Sequence, residues 1–129
     1  MALQSLALSS KAVLLFKRTS GPFSQSYQLL GLDKIPLIFC ENQKGCIGAN
    51  FYFSLSNKFD KEAQSYLGKL RGNSTGSLYH LFDDGAKPDV KIKQEKWRTS
   101  LASIEYEDNF MGAEGPRRLK VTTPNYSNE

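Results

Sequence analysis

Short aromatic and aliphatic runs alternate along this 129-residue chain with clusters of Gly, Pro, Asn, Asp and Ser. The runs are AVLLFK (12–17), SYQLLG (26–31), PLIFC (36–40), NFYFSLS (50–56), SYLGKL (65–70), SLYHLF (77–82), DVKIK (89–93), RTSLASIEYE (98–107) and RRLKVTT (117–123). Between them stand SGP (20–22), GLDK (31–34), NQKG (42–45), NKFDKE (57–62), RGNSTG (71–76), DDGAKP (83–88) and GAEGP (112–116). Short strands at intervals of about ten residues, punctuated by turn residues, predict an antiparallel all-β fold, a barrel or a sandwich. No stretch holds a helical period over three turns. DKEAQSYLGKL (60–70) has the residue types of a short helix, which Gly68 and the flanking turn residues curtail. Asp84-Gly85 is a tight-turn pair. Nine short strands are enough to wrap a barrel, but no segment reads as an apolar plug, and the last strand leaves an open edge.

This pattern implies one β domain over residues 12–124, with a flexible amino terminus (1–11) and a frayed tail (125–129). Hydrophobic residues make up 40% and charged residues 23%, ordinary values for a globular chain, so disorder is not expected. The 12% of aromatic residues, mostly Phe and Tyr, favour sheet. The opening MALQSLALSSKAVLLFKR resembles a weak targeting segment, but it has no charge before Lys11 and is broken by Gln4, Ser5, Ser9 and Ser10, so a cleaved signal is not expected. No apolar run reaches the ~18 residues of a membrane-crossing helix. Cys40 and Cys46 lack the paired spacing of a zinc site and His80 is the only histidine, so neither metal nor cofactor is implied and the thiols read as reduced. The sequons at Asn73 and Asn125 read as chance matches.

The net charge of +4 is compatible with acidic partners, either phosphoinositide membranes or nucleic acid. The basic residues Lys69, Arg71, Arg98, Arg117 and Arg118 fall in predicted strands or at their ends. Lys69 and Arg71 are two apart, so in a strand they share a face, where two cations repel unless water or an anion compensates. Arg offers a planar fork of donors and Lys a mobile point charge, a combination suited to phosphate. Ordinary solvated surface charge is the plain alternative. His80, inside LYHLF, reads as a packed residue rather than a general base. Asp83 and Asp84 read as turn caps, Glu105 and Glu107 as a solvated face, and Trp97 as a half-buried anchor. No nucleophile, base and orienting group can be assembled, so an enzyme is not expected. Aromatic and basic residues interleave in FYF and KIKQEKWR, which keeps single-stranded nucleic-acid binding on a small barrel as an alternative.

Three blocks, SYLGKLRGN, YHLFDDGAKP and LASIEYEDNFMGAEGPRRLKV, are similar in order and spacing to the tubby family, and NFYFSLS falls where that family has an Asn-led strand. The resemblance covers about residues 12–124, most specifically 65–121. It implies the amino-terminal half of a tubby-type β-barrel, incomplete, without the second half and the central hydrophobic helix. It also implies a non-enzymatic peripheral membrane adaptor that binds phosphatidylinositol 4,5-bisphosphate through Lys69, Arg71, Arg98 and Asn50, with Arg117 and Arg118 as general basic surface. Under it the expected location is cytoplasmic and peripheral at the plasma membrane, with nucleus or cilium by family analogy. Protein cargo or a missing barrel half would be further partners. Where many relatives have a basic run before the Asn-led strand, this chain has CENQKGCIG, with one Lys. A truncated fragment acting only as a structural or interaction domain is the alternative.

Overall fold

The computed structural model describes residues 12–22, 24–107 and 118–124. The segment 1–11, the tail 125–129 and Arg117 lie outside the described residues. Eight strands follow one another as β1 (Leu15–Ser20), β2 (Gln25–Leu30), β3 (Pro36–Asn42), β4 (Asn50–Ser54), β5 (Tyr66–Gly72), β6 (Leu78–Phe82), β7 (Ser100–Tyr106) and β8 (Leu119–Thr122), with a single 3-10 turn at Gln94–Lys96. They form one sheet in chain order, every neighbouring pair antiparallel. Among the described residues, contacts between strands are confined to sequence neighbours, so β1 and β8 are edges of an unclosed sheet.

Directly opposed residues of an antiparallel pair lie on the same face, so the register sorts the side chains. One face carries the rows Phe16–Leu29–Ile38, Phe51–Leu70–Leu81–Ala102 and Tyr79–Ile104–Val121. Aromatic contacts run along it, with ring centroids 5.5 Å apart for Phe16–Tyr27, 5.9 Å for Tyr27–Phe51 and 5.9 Å for Tyr79–Tyr106. The other face is polar and basic, with the rows Asn50–Arg71–His80–Ser103–Thr122 and Glu41–Tyr52–Lys69–Phe82. This two-faced alternation is what the period-two runs predict. Among the described residues, however, Tyr66 is the only apolar side chain buried outright, accompanied by Asn50 and Ser54. The Ser54 hydroxyl is satisfied: it donates to the Ser65 carbonyl (3.0 Å) and accepts from the Ser56 N–H (3.2 Å). The apolar face therefore belongs to a single layer, half covered along its middle and open at both edges. Phe16 on β1 and Leu119 and Val121 on β8 are all exposed.

Three local expectations are corrected. DVKIK is not a strand: Pro88 precedes it, the Asp89 carboxylate accepts the Lys91 N–H (2.9 Å) and the Asp89 carbonyl accepts the Ile92 N–H (3.0 Å), which closes a turn instead. The sheet thus has eight strands among the described residues, not nine. DKEAQSYLGKL begins as turns, with Asp60 and Ala63 carbonyls accepting from Ala63 and Tyr66, before entering β5, so no helix forms there. Asp84-Gly85 does not join two paired strands; it opens the long connection 83–99, in which Ala86 bridges Trp97.

Gly68 shows why β5 keeps this shape. Its φ of 144° lies outside the range L side chains favour, it sits where the β4–β5 register shifts, and a Cβ there would run into the Phe82 carbonyl of β6. Gly68→Ala therefore lowers stability by about 2 kcal/mol or more, since neither backbone can retreat without breaking a ladder. Denaturant titration followed by far-ultraviolet circular dichroism measures it, and an unchanged midpoint would show that β5 straightens freely.

Candidate anion-binding site

The site is built on β4 and β5. Their register sets Asn50 opposite Arg71 and Tyr52 opposite Lys69, and β6 adds His80 beside Arg71 and Phe82 beside Lys69. Lys69 thus stands between two aromatic residues, and each of these carries a further cation. The Arg98 guanidinium carbon lies 4.2 Å from the Phe82 ring centre, and the Lys61 Nζ lies 5.2 Å from that of Tyr52. Both are within cation–π range, so the rings hold the flanking cations near Lys69 without neutralising them.

Arg98 reaches this place through the 83–99 connection. The Asp83 carboxylate accepts the N–H groups of Gly85 (3.0 Å) and Thr99 (2.8 Å), and Ala86 and Arg98 are joined by a backbone bond of 2.7 Å. Trp97 anchors the same loop by donating its indole N–H to the Ile92 carbonyl (3.1 Å). On the other side the 43–49 loop folds over the end of β5. The Gly72 N–H donates to the Ala49 carbonyl (2.8 Å), and Arg71 Nη2 donates to the Ile47 carbonyl (3.4 Å).

Asn50 is 4% exposed. Its Nδ2 points to the Cys46 sulfur at 3.6 Å, while its Oδ1 is buried with no hydrogen-bond partner. An unsatisfied buried acceptor is uncommon in a folded chain and marks a place where a donor belongs. Burial first, then the charges of Arg98, Lys61 and Arg71, push the Lys69 pKa below its usual value; Cys46 acts weakly the other way, and no carboxylate is among the charges acting on it. Lys69 therefore meets cations rather than a compensating carboxylate. A cleft of about 560 Å³ along the 83–99 connection is predominantly acidic, lined by Glu62, Asp83, Asp84 and Glu95 with Lys96.

Of the residues expected from sequence, Asn50, Lys69, Arg71 and Arg98 converge. Arg118 is exposed at the foot of β8, where its carbonyl accepts the Glu107 N–H (3.0 Å), and it does not join them. Sequence reasoning did not single out Lys61, Tyr52, Phe82 or the loop residues Cys46 and Ile47. The one available signal was that Tyr52 and Lys69 fall on the same sheet face once their strands are paired.

The arrangement is that of an all-β protein presenting a rigid cationic site on one sheet face. Comparison with known proteins is specific: residues 12–129 match the Tub family model, and the chain belongs to the Tub family. It is 34% identical over 111 residues to human Tubby-related protein 3, covering 81% of this chain and 25% of that protein. It is also 34% identical over 96 residues to the Mus musculus Tubby-related protein 3 (70% of this chain, 21% of that protein), and 29% identical over 93 residues to Tubby protein homolog 1 of Caenorhabditis elegans (71% and 22%). The chain thus spans about a fifth to a quarter of the length of these relatives. An open all-β sheet is consistent with part of a tubby barrel.

The lowered Lys69 pKa has a testable sign. As pH rises, the folded state sheds this proton before the unfolded state does, so its contribution to stability increases between the depressed value and the ordinary 10.5. Cys40 and Tyr66 titrate oppositely, their pKa values pushed up to about 11 and about 12, in both cases chiefly by burial. The difference between wild type and Lys69→Met removes their contribution. Denaturation midpoints should show Lys69→Met as stable as wild type or more so near neutrality, with the gap closing as pH climbs towards 10.5. A gap that widens would place Lys69 in a compensated environment.

Proposed function

We propose that this chain is a non-enzymatic phosphoinositide-binding module that takes phosphatidylinositol 4,5-bisphosphate at a membrane surface, with Lys69, Arg71, Arg98 and Asn50 as the ligand-holding residues. The observation that carries the reading is the set of cations gathered around Lys69, held on a rigid β4–β5–β6 frame beside a buried, unpartnered Asn50 Oδ1. Arg71 supplies a planar donor fork and Lys69 a point charge from the same face, suited to two phosphates on one ring, while Arg98 approaches from the side. Asn50 Oδ1 is the acceptor left for a ring hydroxyl proton. The family resemblance supports the same ligand class. No helix among the described residues is long and apolar enough to cross a membrane. Under this reading the protein associates with the plasma membrane from the cytoplasmic side, where anionic lipid attracts each basic residue by about 1 kcal/mol.

The test is a thermal melt of the chain with and without soluble inositol 1,4,5-trisphosphate. Binding at ~100 times the dissociation constant raises stability by about 2.7 kcal/mol, and Lys69→Ala with Arg71→Ala abolishes the rise without loss of the transition. A shift retained in the double variant overturns the site. A ligand effect seen only with single-stranded oligonucleotides, steeply weakened by salt, would assign the surface to nucleic acid.

A second reading rests on the open sheet. With β1 and β8 unpaired at their outer sides among the described residues and exposed apolar residues along them, the chain also fits a partial barrel that acts as an interaction module. Under it, sedimentation shows concentration-dependent association and an apolar dye binds strongly, both independent of inositol phosphates. A sharp monomeric unfolding transition with little dye binding would set it aside.

A further inference from the structure

Ile47 is 82% exposed at the tip of the connection between β3 and β4, on the loop that closes over the cationic site. Isolated exposed apolar residues are normal on protein surfaces. Ile47 differs in how it is held. Its carbonyl accepts the guanidinium of Arg71, a member of the cation cluster. The preceding residue, Cys46, accepts from the buried Asn50 amide. The following residue, Gly48, has φ 80°, and a Cβ there would lie 2.5 Å from the Gly72 carbonyl oxygen and 2.6 Å from that of Asn73, so the backbone is pressed onto the end of β5. The loop is thus a fixed projection that carries an aliphatic side chain into solvent and is tied by its own backbone to Arg71.

Resting on the anion-site reading, we propose that the Ile47 side chain inserts among the lipids as an apolar anchor when the site meets its headgroup at a bilayer. The two chemistries match the two layers of such a surface. The cations of Lys69, Arg71, Arg98 and Lys61 meet the anionic headgroup, and a neighbouring aliphatic side chain gains by leaving water for the acyl boundary. A soluble headgroup offers the first layer and not the second, so Ile47 contributes to one ligand source and not the other. The insertion also uses the preorganised loop, since the side chain needs no refolding to project.

The experiment compares binding of the full chain to phosphatidylcholine vesicles carrying a minor fraction of phosphatidylinositol 4,5-bisphosphate with binding to soluble inositol 1,4,5-trisphosphate. Ile47→Ala weakens vesicle binding about tenfold, the scale expected for losing a partly inserted aliphatic side chain, and leaves the soluble affinity unchanged. Ile47→Trp strengthens vesicle binding. Val90→Ala, at an apolar position 98% exposed in the 83–99 connection, changes neither. Vesicle binding unaffected by Ile47→Ala overturns the inference while the site stands, as does an equal loss towards the soluble headgroup or an equal effect of Val90→Ala. If the wild-type chain binds neither vesicles nor soluble headgroup, the site reading has failed and the anchor falls with it.

Discussion

The register between β4 and β5 decides where every charge of the candidate site stands. It sets Asn50 against Arg71 and Tyr52 against Lys69, and the β5–β6 register then brings Phe82 to the far side of Lys69. A slip of one residue in β5 would turn both cations onto the apolar face, beside Phe51 and Leu81, and turn Leu70 off it, and an unpaired charge there is strongly disfavoured. The apolar alternation of β4 and β5 thus positions the basic residues by forbidding the other register. Gly68 belongs to the same constraint, since the backbone close to the Phe82 carbonyl allows β5 to change register with β4 and still pair with β6.

The site then follows from electrostatics. Lys69 lies partly buried with Arg98, Lys61 and Arg71 acting on it and no carboxylate in compensation, so its proton is held less tightly than in water. Such an arrangement opposes folding in the absence of a partner. It becomes favourable when a multivalent anion replaces mutual repulsion with several charge-assisted hydrogen bonds. The aromatic faces of Phe82 and Tyr52 stabilise the flanking cations without neutralising them, which keeps the net positive field on that face. Stability and binding are opposed at these residues, a common pattern where strain or repulsion is kept for a ligand.

The open sheet is the other governing fact. Among the described residues, eight strands in a meander present an apolar face and two unpaired edges, and Tyr66 is the one apolar side chain buried outright. Asn50, Lys69, Arg71 and Arg98 come together using only β4, β5, β6 and the connection into β7. The positions of these four residues therefore do not depend on closure of the sheet.

Much of this was legible from the residues. Alternating aromatic and aliphatic runs marked the eight strands to within a few residues, because a period of two with turn residues between has few other solutions. Lys69 and Arg71 on one face followed from their spacing. DVKIK misled because alternation alone does not report that Asp89 captures the next N–H groups and turns the chain. Arg98 over Phe82, Lys61 over Tyr52 and Arg71 on the Ile47 carbonyl are contacts between residues 9 to 24 positions apart, made through connections that have no periodicity, and the orphaned Asn50 acceptor shows only once the strands are paired. The sequence by itself determined the class of fold, the face of the sheet and the family, since these depend on local alternation and on motif order. Only the tertiary structure decided which cations meet and which loop closes over them, because that depends on strand register and on where irregular backbone finds its hydrogen-bond partners.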